Sequence, residues 1–167
     1  MGSYNYGKDE IVKWVKENFN FGATCLDVGA CDGKWAKLLG DYLDMDGVEI
    51  FTPNIIKHDL AHKYRKIFDS DIANLEYEYY DLIIFGDVIE HMSVEKAQKV
   101  LNYAKNRCKD MIIGVPFLYS QGPIYGNPYE VHIQNDLTEE LFKQRYPGYT
   151  MLLKAANDYA YYTKERS

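Results

Sequence analysis

The chain has 167 residues, enough for one domain that buries a full hydrophobic core. Its formal net charge of -6 disfavours a nucleic-acid partner, because binding to a phosphate backbone depends on clustered lysine and arginine. The 3 cysteines form no CxxC pair, the N-terminus is polar, and no apolar run approaches the ~20 residues of a membrane span. We therefore expect a cytoplasmic protein without a disulfide framework or membrane insertion.

The first half of the chain alternates between predicted helices and strands. Apolar spacing predicts a helix over 9–18 with Asp9 as its N-cap, and a second helix over 34–43. A further helix follows Pro53 and ends at about residue 64. Short apolar runs predict four strands, at 24–28, 46–51, 66–70 and 80–85. The fourth run is almost continuously apolar, as is typical of the centre of a parallel sheet.

The second half begins with the same alternation and then changes. A helix is predicted over 93–108 with Ser93 as its N-cap, followed by a fifth strand over 111–115. Residues 116–135 form a loop rich in Pro, Gly, Tyr and Asn, and a short helix covers 138–145. Two final runs, 149–155 and 158–163, predict a hairpin. The pattern predicts an α/β fold, with a doubly wound, mostly parallel seven-stranded sheet, helices on both faces and a C-terminal antiparallel hairpin.

A glycine turn follows the first strand, in the sequence LDVGACDG at 26–33. Glycine reaches positive φ and has no Cβ to hold a ligand away from the backbone. Glu49 closes the next apolar run, 20 positions after Gly29. A carboxylate in that position can accept hydrogen bonds from both hydroxyls of a ribose. The pairing predicts a site for an adenosine ligand.

The same turn argues against phosphate-bearing ligands. A dinucleotide fingerprint starting at Gly29 requires glycine at 31 and 34, where this chain has Cys31 and Lys34. The phosphate-loop pattern GxxxxGK[ST] does not occur in the sequence. Two further strand ends, at Asp71 and at Gly86-Asp87, fall on the carboxyl edge of the predicted sheet, where open α/β folds bind their ligands.

Together these segments resemble the four motifs of class I S-adenosylmethionine-dependent methyltransferases, over residues 20–165. The first motif is LDVGACDGKW, the second GVEI at 47–50, the third Asp71-Ile72, and the fourth YDLIIFGDVIEHM at 80–92. Cys31 departs from the family, which usually has glycine there. The form with Glu-His after the fourth strand is similar to small bacterial members.

The resemblance implies a role for each matching position. The methionine part of S-adenosylmethionine is expected at Asp27 and at the turn residues Gly29, Ala30, Cys31 and Gly33. The ribose is expected at Glu49, the adenine at Asp71 and Ile72, and the sulfonium beside Asp87. The product is then S-adenosyl-L-homocysteine. The single domain, 1–167, divides into an N-terminal helix at 1–20, a cofactor-binding half at 21–115 and a substrate-side part at 116–167.

Histidine is the side chain able to accept an acceptor's proton near neutral pH. His132, in the stretch GNPYEVH of the tyrosine-rich loop, is the first candidate for a catalytic base, and His91 is the second. His58 and His62 have the spacing of an HExxH zinc motif. The sequence there has Asp59 in place of glutamate and no third ligand downstream, so we interpret it as a solvated helix surface and predict no metal.

The leading hypothesis is therefore a methyltransferase that acts on an unidentified acceptor, for which a saccharide or a small metabolite is the expectation. Oxygen, nitrogen and carbon remain open as the accepting atom, and a homodimer remains open beside a monomer. The alternatives are a catalytically silent binding module and, ranked lower, an NAD-dependent oxidoreductase.

Overall fold

The computed structural model describes residues 5–166, so residues 1–4 and 167 of the predicted domain lie outside the described part. One continuous sheet carries the strands β1 (Thr24–Val28), β2 (Asp44–Glu49), β3 (Lys66–Asp69), β4 (Tyr80–Gly86), β5 (Cys108–Pro116), β6 (Tyr149–Ala156) and β7 (Tyr159–Lys164). The α-helices are α1 (Lys8–Asn18), α2 (Lys34–Leu39), α3 (Thr52–Lys57), α4 (Leu60–Lys63), α5 (Val94–Lys105) and α6 (Glu139–Arg145).

The strand order confirms the predicted α/β fold. It runs β3-β2-β1-β4-β5-β7-β6. The first five strands pair in parallel, whereas β7 pairs antiparallel with both β5 and β6. The chain therefore ends in the expected antiparallel hairpin, and β7 is inserted between β5 and β6.

Helices cover both faces of the sheet, as predicted. Alternate residues of β4 point to opposite faces, so Ile83 and Phe85 pack beneath α5 and α6, whereas Leu82 and Ile84 pack beneath α1, α2 and α4. These four side chains have no solvent exposure. A central strand buried on both faces explains the continuous apolar run in the sequence. Among the helices between residues 5 and 166, none combines the length and apolar character that a membrane span requires.

Several predicted boundaries are wrong. Strand β2 begins and ends two residues earlier than predicted, and α2 ends at Leu39 rather than at residue 43. The N-cap of α1 is Gly7, not Asp9. The single helix predicted after Pro53 is two short helices, because Asp59 between them adopts a left-handed conformation with φ of 53°. Aspartate adopts the left-handed conformation more readily than most residues. Because aspartate also occurs within helices, its presence at position 59 does not by itself predict the break between α3 and α4.

Candidate active site

A cavity opens at the carboxyl ends of β1, β2 and β4. Its walls come from the turn after β1, the end of β2, the segment after β3, residues 86–92 after β4, and the loop that follows β5. Most of the predicted site residues line it, namely Gly29, Ala30, Cys31, Glu49, Asp71, Ile72, Asp87, His91 and His132. Asp27 and Gly33 do not.

The glycine turn is shaped by its two glycines. Gly29 has φ of 75°, and a Cβ there would lie 2.8 Å from Cγ2 of Val88, so the turn packs directly against the segment after β4. Gly33 has φ of 79° and is the N-cap of α2. Gly33 does not line the cavity, and a Cβ on it would lie 2.8 Å from Cδ of Lys63.

The carboxylate of Glu49 is held by two backbone donors. The N–H of Cys31 donates to Oε2 at 2.7 Å, and the N–H of Phe51 donates to Oε1 at 2.9 Å. The side chain is buried, and this burial raises the pKa of Glu49 above its ordinary value against the effect of the two hydrogen bonds. The side chain of Asn54 is a third hydrogen-bond partner of the carboxylate. A carboxylate has about four lone pairs, so Glu49 keeps acceptor capacity for a ligand in the cavity that it lines.

Asp71 and Ile72 lie at the start of a single 3-10 turn, Ile72–Asn74, that follows β3. Oδ1 of Asp71 accepts the N–H of Ala73 at 2.9 Å, and Oδ2 accepts Nζ of Lys96 at 2.7 Å. Lys96 lies on α5, so this ion pair joins two walls of the cavity. Ile72 is buried and presents an apolar surface beside the carboxylate.

Asp27 lies beneath the cavity rather than in its wall. The hydroxyl of Tyr64 donates to Oδ2 at 2.5 Å, and the structure shows no hydrogen-bond partner for Oδ1 among the described residues. Burial raises the pKa of Asp27 to about 7, against the lowering effect of the Tyr64 hydrogen bond. The sequence motif predicts Asp27 at the ligand, whereas in the structure its buried carboxyl is bonded to Tyr64 and does not line the cavity.

A buried lysine was missed from the sequence. Lys8, at the start of α1, is 4% exposed, and its Nζ lies 4.3 Å from the ring centroid of Trp35. Burial lowers the pKa of Lys8 to about 8, while the charges of Asp87 and Asp27 act in the opposite direction. Nothing in the amphipathic pattern of α1 distinguishes this lysine from an exposed one, because the pattern records only apolar spacing.

The two candidate bases lie side by side, with their ring centroids 4.7 Å apart. Nδ1 of His91 lies 3.1 Å from the carbonyl oxygen of Val131, and Nδ1 of His132 lies 2.8 Å from that of Tyr119. Burial lowers the pKa of His91 to about 4 and lowers that of His132 as well. Both rings are therefore neutral near pH 7.

Glu90 is a third member of this cluster. The sequence motifs contain it only as part of the Glu-His pair, yet its carboxyl is fully buried, with Oε1 3.8 Å from Nε2 of His91. Burial raises the pKa of Glu90 well above its ordinary value, and the charge of Asp87 adds to this effect. A buried acid cannot be distinguished in sequence from a solvated one at a helix start.

The loop after β5 is docked onto the segment after β4. The N–H groups of Ile133 and Gln134 donate to the carbonyl oxygen of Glu90 at 2.9 and 3.0 Å. Nε2 of the buried Gln134 donates to the carbonyl oxygens of Ile89 and Met92 at 2.9 and 3.1 Å. These bonds hold His132 against Glu90 and His91, and the loop forms the predicted wall of the cavity.

The HExxH-like segment has no comparable geometry. His58 is the C-cap of α3, and His62 belongs to α4, so the two do not share one helix. Nδ1 of His62 lies 2.6 Å from Oδ1 of Asp59, and both side chains are largely exposed.

No protein-family model matches the chain. No curated protein is detectably similar to it. Solved structures are similar in fold. An S-adenosylmethionine-dependent methyltransferase from Clostridium acetobutylicum ATCC 824 aligns with 13% identity and a TM-score of 0.73, covering 97% of this chain and 92% of that one.

Two further structures have the same fold. Magnesium protoporphyrin IX methyltransferase from Synechocystis PCC 6803, with bound SAH, has 16% identity and a TM-score of 0.68, covering 95% of this chain and 81% of that one. The N-methyltransferase NodS from Bradyrhizobium japonicum WM9 has 10% identity and a TM-score of 0.66, covering 95% and 94%. The chain therefore has the fold of S-adenosylmethionine-dependent methyltransferases, as the sequence motifs predict.

Proposed function

We propose that this chain is an S-adenosylmethionine-dependent methyltransferase. The observation that carries the proposal is the position of Glu49, whose buried carboxylate faces the glycine turn at the mouth of the sheet. A carboxylate at the end of the second strand accepts the ribose hydroxyls of a nucleoside, and the turn leaves room for the rest of the ligand.

The predicted residues that line the cavity suit such a ligand. Glu49 accepts the ribose hydroxyls with the acceptor capacity that Cys31, Phe51 and Asn54 leave available. Ile72 offers an apolar contact for the adenine ring, and the adjacent Asp71 offers an acceptor for a ring amino group. The backbone of Gly29–Cys31 lies beside the methionine part, and Asp87 beside the reacting sulfur.

When bound, S-adenosylmethionine supplies a methyl group that is already activated by its sulfonium sulfur. The protein then contributes proximity and orientation, for which effective molarities can reach ~10⁵ M or more. If the acceptor is a hydroxyl or an ammonium group, Nε2 of His132 or of His91 accepts the proton, because each ring is neutral and its Nδ1 is already engaged. S-adenosyl-L-homocysteine is the expected product.

We propose a saccharide or a small metabolite as the acceptor. Tyr119 lines the cavity, and Tyr129 lines it while remaining half-exposed at the rim. Aromatic rings with a polar edge suit flat or hydroxylated ligands. We do not propose a nucleic-acid acceptor, because a net charge of -6 disfavours binding to a phosphate backbone. The buried thiols of Cys25 and Cys108, which form no disulfide, suit a cytoplasmic location. Formation of a homodimer by this chain stays a prediction.

The alternatives have less support. The dinucleotide-binding sheet of oxidoreductases has the order 3-2-1-4-5-6, without the antiparallel strand that is inserted here beside β5. A silent binding module would not need to retain Glu49, Asp71 and Asp87 around one cavity.

Calorimetric titration with S-adenosylmethionine, S-adenosyl-L-homocysteine and NAD tests the proposal. We expect micromolar binding of the first two ligands only. Glu49→Gln should weaken the binding of both ligands by at least tenfold. The glutamine amide NH2 is a donor, and in place of one carboxylate oxygen it would face the N–H donor of Cys31 or of Phe51. The exposed Glu78→Gln serves as the matched control. Binding of NAD alone would overturn the proposal.

A further inference from the structure

Three potential metal ligands converge at the acceptor side of the cavity. Glu90, His91 and His132 each present one ligand atom, and these atoms all lie within 4.8 Å of one another. All three residues line the cavity, so an ion bound to them would be accessible to a ligand in the cavity. His132 lies 41 positions after His91 in the sequence. A sequence motif covers only neighbouring positions, so it does not reveal this cluster.

The hydrogen bonds of the two histidines orient them as ligands. A backbone carbonyl can only accept, so the Nδ1 atoms facing Val131 and Tyr119 carry the ring protons. Each Nε2 then has an unprotonated lone pair. Metal-bound histidines typically donate their other ring N–H in this way, which fixes the tautomer and the orientation of the ring.

The carboxyl group of Glu90 supplies an independent observation. Its side chain is fully buried, and neither Oε1 nor Oε2 has a hydrogen-bond partner among residues 5–166. Buried polar atoms are normally satisfied, and one left without a partner calls for an ion, a water or a ligand. A cation between Glu90 and the two imidazoles would satisfy it.

We propose that Glu90, His91 and His132 bind one divalent transition-metal ion, contrary to the prediction of no metal from sequence. Two imidazoles and one carboxylate suit zinc or ferrous iron, whereas magnesium prefers oxygen ligands. Ligands on one zinc ion lie about 3.4 Å apart when each bond is about 2.1 Å. The ligand atoms, which lie within 4.8 Å of one another, therefore need to converge by up to about 1.4 Å when the ion binds.

Three protein ligands leave coordination positions open towards the cavity. Those positions fit an acceptor that offers hydroxyl oxygens, such as the neighbouring hydroxyls of a saccharide. The use of the ion for an acceptor rests on the proposed function, whereas the ion site does not. An Nε2 atom that binds the ion cannot also accept a proton, so in the ion-bound protein His91 and His132 act as ligands and not as the base.

Titration of the metal-free protein with zinc chloride tests the site. We expect one Zn²⁺ per chain, with affinity reduced by about 100-fold or more in Glu90→Gln and in His132→Gln, because each removes a ligand. His62→Gln removes an exposed histidine outside the cluster and should leave the affinity unchanged. Thermal unfolding of each variant shows that it is folded.

Co²⁺ provides a second measurement on the unaltered protein. Ligation by nitrogen and oxygen gives visible d–d bands without the strong ultraviolet charge-transfer band of a thiolate, which separates the proposed site from one that uses Cys31 in the same cavity. No Zn²⁺ binding, a thiolate band, or undiminished affinity in Glu90→Gln would overturn the site. Binding of S-adenosyl-L-homocysteine is measured separately without metal, so failure of the methyltransferase proposal and failure of the ion site give different results.

Discussion

The backbone N–H of Cys31 donates to Oε2 of Glu49 at 2.7 Å and so joins the turn after β1 to the end of β2. Cys31 makes this bond from a left-handed conformation, with φ of 51°. The carboxylate that we assign to the ribose therefore also fixes the shape of the turn that we assign to the methionine part. Because the donor is a backbone group, side chains at position 31 act on the bond only through the backbone conformation.

This relationship predicts opposite outcomes for two substitutions of Cys31. Cys31→Gly keeps the N–H and adopts positive φ without strain, so we expect a melting temperature close to that of the unaltered protein and retained cofactor binding. Cys31→Val places a β-branched side chain in the left-handed region, at a cost of about 1–3 kcal/mol. Thermal unfolding should then shift down by several degrees, and calorimetry should show weaker S-adenosyl-L-homocysteine binding. Equal behaviour of the two variants would contradict the argument.

Gly86 at the end of β4 allows close approach of Trp35, which lines the cavity. A Cβ on Gly86 would lie 2.6 Å from Nε1 of Trp35, so Gly86→Ala should cost about 1–3 kcal/mol of unfolding free energy through overpacking and should displace the indole from the cavity wall. Chemical denaturation measures the loss. Gly122→Ala is the matched control, because a Cβ there would meet no atom within 4 Å.

A double substitution identifies the cause. Trp35 Nε1 is buried without a hydrogen-bond partner among the described residues, so Trp35→Phe loses ring volume and no hydrogen bond. If the clash is with the indole, Trp35→Phe should recover part of the loss caused by Gly86→Ala, and the two effects should be coupled. Strictly additive effects would place the cost of Gly86→Ala elsewhere, for example in the backbone of β4.

Much of the fold follows from local pattern. The bounds of β1 are those predicted, since its apolar, β-branched run ends at a glycine turn that stops the strand. Ser93 caps α5 as predicted, and its side chain accepts from the N–H of Lys96. Thr138, predicted as the first residue of α6, is its N-cap and accepts from the N–H of Leu141. Capping depends on residues three positions apart, and such short-range relationships are visible in sequence.

The parts of the site that escaped prediction depend on distant packing. Lys8 is buried against Trp35 and lies within reach of the charges of Asp87 and Asp27, and Glu90 is buried where the loop after β5 docks onto it. Neither burial has a local signal. The same reason explains why Asp27 was placed at the ligand, since only the position of Tyr64, 37 residues away, shows that its carboxyl is engaged beneath the turn.

The raised pKa of Asp27 predicts how stability depends on pH. The folded chain retains the proton of this carboxyl up to pH about 7, whereas an unfolded chain releases it near pH 4. The folded state therefore binds more protons between those values, and Asp27 makes the unfolding free energy fall as pH rises, by at most ~1.4 kcal/mol per pH unit. Denaturation of Asp27→Asn from pH 5 to 7.5 should show a smaller fall than the unaltered protein. The exposed Asp41→Asn should not.

Tyr64→Phe tests the same carboxyl from its partner's side. The hydroxyl of Tyr64 stabilises the ionised form of Asp27, so its removal should raise the pKa of Asp27 further. The fall in unfolding free energy should then continue above pH 7 in Tyr64→Phe, and it should disappear in the double variant with Asp27→Asn. An unchanged pH dependence in Tyr64→Phe would show that the hydrogen bond does not set the titration.

Gln134 is expected to support the cavity wall without touching a ligand. Its Nε2 satisfies two carbonyl oxygens of the segment after β4, and its Oε1 accepts the hydroxyl of Tyr146 at 2.8 Å. Gln134→Leu has nearly the same volume but removes the Gln134 partner of the Met92 carbonyl oxygen and of the Tyr146 hydroxyl, each at a cost of about 1–3 kcal/mol before relaxation, whereas the Ile89 carbonyl oxygen keeps the N–H of Met92. Chemical denaturation should show a loss of at least ~2 kcal/mol.

The exposed Gln98→Leu is the matched control, since it removes one hydrogen bond, to the carbonyl oxygen of Arg145, at the surface. Its effect should stay within ~0.5 kcal/mol. Hydrogen exchange distinguishes a local role for Gln134 from a global one. If Gln134 docks the loop, the amides of Ile133 and Gln134, which donate to the carbonyl oxygen of Glu90, should exchange faster in Gln134→Leu than those of β4, which lie in the centre of the sheet. Uniform acceleration across the sheet would mean that the side chain stabilises the whole domain and that the loop is held by its backbone bonds to Glu90.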